Sequence, residues 1–115
     1  MYRILFLSII FFATINISNG QSSNIVESEF DVSGNCGMCQ VRIENAALIK
    51  GVKKAVWDKE KQSLKVIYRS DKVDILDIHK AVAKAGHDTS MIKAEDAVYS
   101  KIPYCCSYRE NPNVH

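Results

Sequence analysis

The first clear pattern of apolar and polar positions is NIVESEFDV, Asn24 to Val32, where Val26, Ser28, Phe30 and Val32 alternate with Glu27, Glu29 and Asp31. A period of two puts one set of side chains on each face of a pleated strand, so the segment predicts a half-buried strand. SGN then breaks the pattern. From Cys39 to Ile49 the spacing becomes helical: Ile43, Ala46 and Ala47 recur, Arg42 and Glu44 stay polar, and Gly51 is placed to end the helix. Two strands follow, with Ala55 and Trp57 sharing a face in GVKKAVWD and Leu64, Val66 and Tyr68 sharing one in SLKVIYR; DKEKQ between them is a polar hairpin turn. A second helix has Asp74 as N-cap, Asp77 three residues on as a variant capping box, and a stripe of Ile75, Ile78, Val82 and Ala85 that Gly86 stops. After HDTS a short fourth strand is predicted over Thr89 to Lys93.

This order, strand, helix, strand, strand, helix, strand, predicts an α+β fold of the ferredoxin-like βαββαβ type, an antiparallel sheet with two helices on one face. Phe30, Trp57 and Tyr68 are read as core, and His79 and His115 as surface residues. Beyond Lys93 the chain reads as a C-terminal extension, residues 94–115. AEDAVYS could form a short helical turn that Pro103 stops, and YCCSYRENPNVH shows no periodicity.

The N-terminus belongs to a different class. MYRILFLSIIFFATINISNG has one basic residue, Arg3, an apolar run from Ile4 to Ala13, and small residues at Ser18 and Gly20, which predicts a secretory signal peptide over residues 1–20. The apolar run is short for a membrane span. The expectation is therefore an exported protein, periplasmic or secreted, with no stable membrane span after cleavage and its domain over residues 24–93. The 115-residue chain carries 15 basic and 13 acidic residues; without Arg3 the difference falls from +2 to +1. A near-neutral chain with interspersed charges offers no electrostatic basis for nucleic acid.

All four cysteines lie in the mature part, as two tight pairs, Cys36–Cys39 in CGMC and Cys105–Cys106. Each pair would constrain the unfolded chain little if it closed on itself. Cys36 would sit in a loop exposed at an edge of the sandwich and Cys39 in the first helical turn, where free backbone N–H groups and the helix dipole stabilise thiolates. Such a pair suits Cu(I), Hg(II), Cd(II) or Zn(II), low coordination favouring Cu(I) or Hg(II). A disulfide or a redox centre fits the same spacing, and the residues alone leave all three open.

SGNCGMCQVRIENAALIKGVKKAVWDKEKQSLKVIY, followed by IHKAVAKAGHD, resembles the heavy-metal-associated domain family. That family includes bacterial copper chaperones, the soluble metal-binding domains of copper-exporting ATPases and periplasmic mercury-binding proteins. The resemblance covers about Ile25 to Lys93 and includes the CxxC, the KGV after the first helix, the hairpin and the AGH closing the second. It implies that Cys36 and Cys39 are metal thiolates, and that a partner with thiolate or thioether ligands gives or takes the ion by ligand exchange. His87 falls where the family places a residue close to the metal loop, so it is a candidate for direct ligation or for tuning the thiolates. Cys105 and Cys106 are candidates for further ligands to the same ion, for a disulfide or for a separate site. Where the family often has methionine two residues before the first cysteine, this chain has Gly34.

The expected function is an exported Cu(I) carrier or scavenger without catalytic turnover, with a mercury(II)-binding periplasmic protein as the alternative. A thiol–disulfide oxidoreductase is the rival from another class. It is disfavoured because Asn35 precedes the first cysteine in place of an aromatic residue, and because the only prolines, Pro103 and Pro112, lie in the tail, leaving none to face the pair. An RNA-binding module would need paired strand aromatics, which this chain lacks.

Overall fold

A computed structural model of the chain describes residues 24–115; the signal peptide expected over residues 1–20 lies outside the described residues. The elements are β1 (Ile25–Asp31), α1 (Gly37–Ala47), β2 (Val52–Asp58), β3 (Ser63–Arg69), α2 (Ile75–Lys84), a one-turn helix α3 (Asp96–Tyr99) and a 3-10 turn over Tyr104–Cys106. The sheet is antiparallel in the order β1-β3-β2. Register sets Val26 opposite Tyr68, Phe30 opposite Leu64 and Trp57 opposite Leu64, so the inward residues of all three strands meet on one face. Cys39, Ile43 and Ala47 of α1 and Ile78 and Val82 of α2 join that face in one apolar core, which places both helices on the same side of the sheet. The fold is the ferredoxin-like one.

Three local features reflect the sequence directly. The Asp74 carboxylate accepts from the Leu76 N–H (3.4 Å) and the Asp77 carboxylate from the Asp74 N–H (3.3 Å), closing the capping box of α2. Gly51 and Gly86, at φ +98° and +104°, occupy the left-handed conformation expected at the two helix ends. β3 has the boundaries its alternation predicts.

Other features differ. The fourth strand is reduced to a single bridge between Val32 and Thr89. The Thr89 hydroxyl accepts from the N–H groups of Met91 and Ile92, and the Thr89 N–H donates to the Ile92 carbonyl, so the chain curls into a turn where it would have extended. His79 is not on the surface. It is 2 % exposed, stacked on Phe30 with ring centroids 3.8 Å apart, and its Nδ1 lies 2.7 Å from the Thr89 hydroxyl. Its place next to Ile78 and one turn before Val82 widens the inward stripe of α2 beyond its aliphatic positions.

The C-terminal extension packs back on the sandwich. Tyr99, Cys106 and Tyr108 are buried. Arg109 bonds the Asp88 carboxylate with two nitrogens (2.8 and 3.1 Å), reaches Asp96 (2.9 Å) and the Ala94 carbonyl (2.7 Å), and lies over the Tyr99 ring. The Tyr108 hydroxyl donates to the Gly86 carbonyl and accepts from the Asp88 N–H. These anchors are single side chains without a period, so the hydrophobic pattern of the tail does not disclose them.

Candidate metal centre

The loop from Val32 to Cys36 is held from three sides. Gln62, in the β2–β3 turn at φ +55°, accepts with its carbonyl from the Val32 N–H and with its side chain from the Gly34 N–H. Trp57 lies beneath: its indole N–H donates to the Val32 carbonyl (3.0 Å), and a Cβ on Gly34 would come within 2.9 Å of the indole ring. The tryptophan thus fills the space under the loop, and glycine at position 34 leaves room for it. His87 supports the backbone. Its Nδ1 is 2.8 Å from the Ser33 carbonyl, which fixes the proton on that nitrogen.

Cys36 is the extended residue that precedes α1, and Cys39 follows in the first turn. The helix therefore starts two residues earlier than its apolar spacing predicts. The sulfurs of Cys36 and Cys39 are 3.4 Å apart, and Cys106 places its own 3.4 Å from that of Cys36; all three lie within 4.8 Å of one another. None of the four cysteines is bonded to another. The Cys39 thiol also meets the Asn35 side-chain carbonyl at 3.3 Å. The sulfurs are not exposed at an edge, contrary to the expectation from topology. Cys39 and Cys106 are fully buried and Cys36 is 6 % exposed, because the tail covers them. Two hydrogen bonds close that cover: the Asn35 side chain donates to the Asn111 carbonyl, and the His115 N–H donates to the Asn35 carbonyl.

The three thiols are electrostatically distinct. Burial pushes Cys36 up, but the Cys39 and Met38 N–H groups and the neighbouring thiols outweigh it, lowering Cys36 to about 7. Burial raises Cys39, against hydrogen bonds that favour its thiolate. Burial and its two sulfur neighbours push Cys106 far above the ordinary thiol range. One sulfur is thus half ionised near neutral pH while the others hold their protons until an ion replaces them.

The remaining candidates take different places. Cys105 points away from the cluster, its thiol 3.4 Å from the Met38 sulfur at the exposed rim. His87 is fully buried, stacks on Tyr108 and stands outside the three-sulfur group. Burial first, then the charge of Arg42, lower it to about 4, so it is neutral at ordinary pH, and its Nε2 is buried without a partner. Arg42, on α1, lines the same cleft as Cys36, Met38 and Cys105; its Nη1 is likewise out of water and unpartnered. Sequence reasoning did not single out Arg42, Asn35 as a thiol partner, or Gln62. For Asn35 the one available signal was its position beside the first cysteine.

No family model matches this sequence, and none of the curated proteins is similar to it. Solved structures are similar. The copper chaperone of Enterococcus hirae, in its apo form, is 33 % identical with a TM-score of 0.50, over 53 % of this chain and 93 % of that one. The chain belongs to the heavy-metal-associated domain family. A CopZ metallochaperone is 29 % identical, with a TM-score of 0.54 over 56 % of this chain and 98 % of its own. The N-terminal domain of a potential copper-translocating P-type ATPase from Bacillus subtilis, in the Cu(I)-loaded state, is 28 % identical with a TM-score of 0.53, over 63 % of this chain and 92 % of that one. These heavy-metal-associated domains are matched almost end to end, while more than a third of the present chain lies outside each match.

Proposed function

We propose that this heavy-metal-associated chain is a carrier or scavenger of a soft metal ion, Cu(I) first, without catalytic turnover. Cys36 and Cys39 bind the ion as thiolates, and it leaves by ligand exchange with a partner that offers thiolate or thioether ligands. The observation that carries this reading is the pair of sulfurs 3.4 Å apart at the start of α1, one of them brought to about 7, against its burial, by backbone N–H groups and neighbouring thiols. Soft, polarisable ions prefer such a donor set over the oxygen-rich sites that hard cations need. Hg(II) suits the same pair and is the alternative cargo. The similar structures support copper: one is a copper chaperone and one a Cu(I)-loaded domain of a potential copper-translocating ATPase. Residues 1–20 have the layout of a signal peptide, and we infer export to the periplasm or beyond; among the described residues no helix is long and apolar enough to cross a membrane.

The test is a Cu(I) titration of the reduced protein against a competing chelator. Wild type should retain one Cu(I) per chain, and the Cys36→Ser/Cys39→Ser variant none. Undiminished retention by that variant would refute the assignment.

A further inference from the structure

The tail sulfur has a place in this site that the two-cysteine motif does not assign. We propose that Cys106 is a third thiolate ligand, so that the bound ion sits in a three-sulfur site closed by the C-terminal extension. The proposal rests on the reading of Cys36 and Cys39 as metal thiolates.

Three observations carry it. The first is distance. With metal–sulfur bonds of about 2.3 Å, a planar three-sulfur site needs sulfurs about 4.0 Å apart, whereas a linear two-sulfur site needs about 4.6 Å. Cys36 stands 3.4 Å from each of its sulfur neighbours and no pair exceeds 4.8 Å. The two sides that Cys36 makes therefore reach three-coordination by opening about 0.6 Å, while a linear site would drive Cys36 and Cys39 more than an ångström further apart within a buried core. The second is placement. Cys106 is fully buried, and its turn is fixed by the contacts of Tyr108 and Arg109 with Gly86 and Asp88, which follow α2. Its neighbour Cys105, with the same chemistry, is turned out to the rim. The third is charge. Cu(I) with three thiolates carries a net charge of −2, and such a charge out of water needs a counter-charge. The start of α1 supplies part of it, and Arg42 has a buried guanidinium nitrogen with no other partner in the wall of the same cleft.

The consequence is a site built to hold. A linear site leaves room around the ion for an incoming thiolate, whereas here Cys106 occupies that room. Transfer requires the partner's thiolate to form its bond as the Cys106–metal bond breaks, Cys106 then taking up a proton. On loading, each thiol still protonated releases one proton.

X-ray absorption at the copper edge, on the reduced chain loaded with one equivalent of Cu(I), counts the sulfurs. Three are expected in wild type and in a Cys105→Ser/Met38→Leu variant, which removes the two sulfurs at the rim of the site. Cys106→Ser should give two, with Cu(I) retention against a chelator lower by at least about tenfold, the lower end of what even outer partners of a metal ligand contribute. If Cys106→Ser does not fold, the wild-type count and the rim variant assign the third sulfur on their own. Two sulfurs in wild type, or a count that drops in the rim variant, would overturn the proposal. Either result leaves the two-cysteine assignment standing, since that falls only if Cys36→Ser/Cys39→Ser keeps its Cu(I).

Discussion

At the scale of single residues, the site depends on small differences between like groups. Cys36, lowered to about 7, should react with iodoacetamide at a rate that rises with a midpoint near pH 7, while Cys39 and Cys106 follow only in alkaline solution. Peptide mapping of the alkylated protein against pH reads this, and three indistinguishable profiles would contradict it. Gly34 makes a second prediction. Replacing it with alanine sets a methyl group 2.9 Å from the Trp57 ring, which is itself tied to the Val32 carbonyl. Overpacking of this kind costs about 1–3 kcal/mol; denaturant unfolding of Gly34→Ala should show a loss in that range, and no loss would mean that the loop is not held by the tryptophan. The motif made the meeting of Cys36 and Cys39 at the start of α1 legible in the sequence. What lies under them was not, because Trp57 meets Gly34 through tertiary contact between positions far apart in sequence. The alternation of β2 fixed only which face it occupies.

At the scale of elements, legibility followed the strength of the local pattern. α2 carries its stripe, its capping box and its glycine stop, and all three are present. α1 has an extended Cys36 at its N-terminus and no side-chain cap, so its start is set by the loop and by tertiary packing; apolar spacing placed it two residues late. The fourth strand failed for a local reason, since the Thr89 hydroxyl offers the backbone a turn that competes with the ladder. Removing the cap with Asp74→Ala should lower stability by about 1 kcal/mol. The Cu(I) affinity should stay unchanged, because that end of α2 is remote from the sulfurs. A thermal melt and a chelator titration on the same sample check both statements.

At the scale of the whole molecule, the tail and the sandwich are joined through buried polar groups, and these make stability depend on pH. Burial holds His87 at about 4 in the folded chain, against 6.5 when exposed. The unfolded state therefore takes up the proton first. Stability is undisturbed above pH 6.5 and declines as pH falls toward 4, by up to about 1.4 kcal/mol per pH unit. Asp88, which Arg109 holds below the ordinary carboxylate value of 3.8 despite its burial, contributes fully above that value and loses its contribution only as pH falls through its lowered one. The decline below pH 6.5 thus belongs to the buried histidines, His87 chiefly and His79, which burial also lowers. Across that interval His87→Asn, which keeps a donor for the Ser33 carbonyl, should melt with a shallower profile than wild type, His79 leaving a residual slope. A slope equal to that of wild type would place the titrating group elsewhere. The order of strands and helices was readable at this scale, whereas the return of the tail was not, since it depends on Arg109 finding Asp88, 21 positions away.

Entry of a soft ion at the first turn of α1 is tested most directly by amide chemical shifts during addition of Cu(I) to the reduced, isotope-labelled chain. The signals of residues 35–40 should move and saturate at one equivalent, while the outer face of the sheet stays still. Signals of 35–40 left unmoved at one equivalent, with Cu(I) bound elsewhere on the chain, would contradict it.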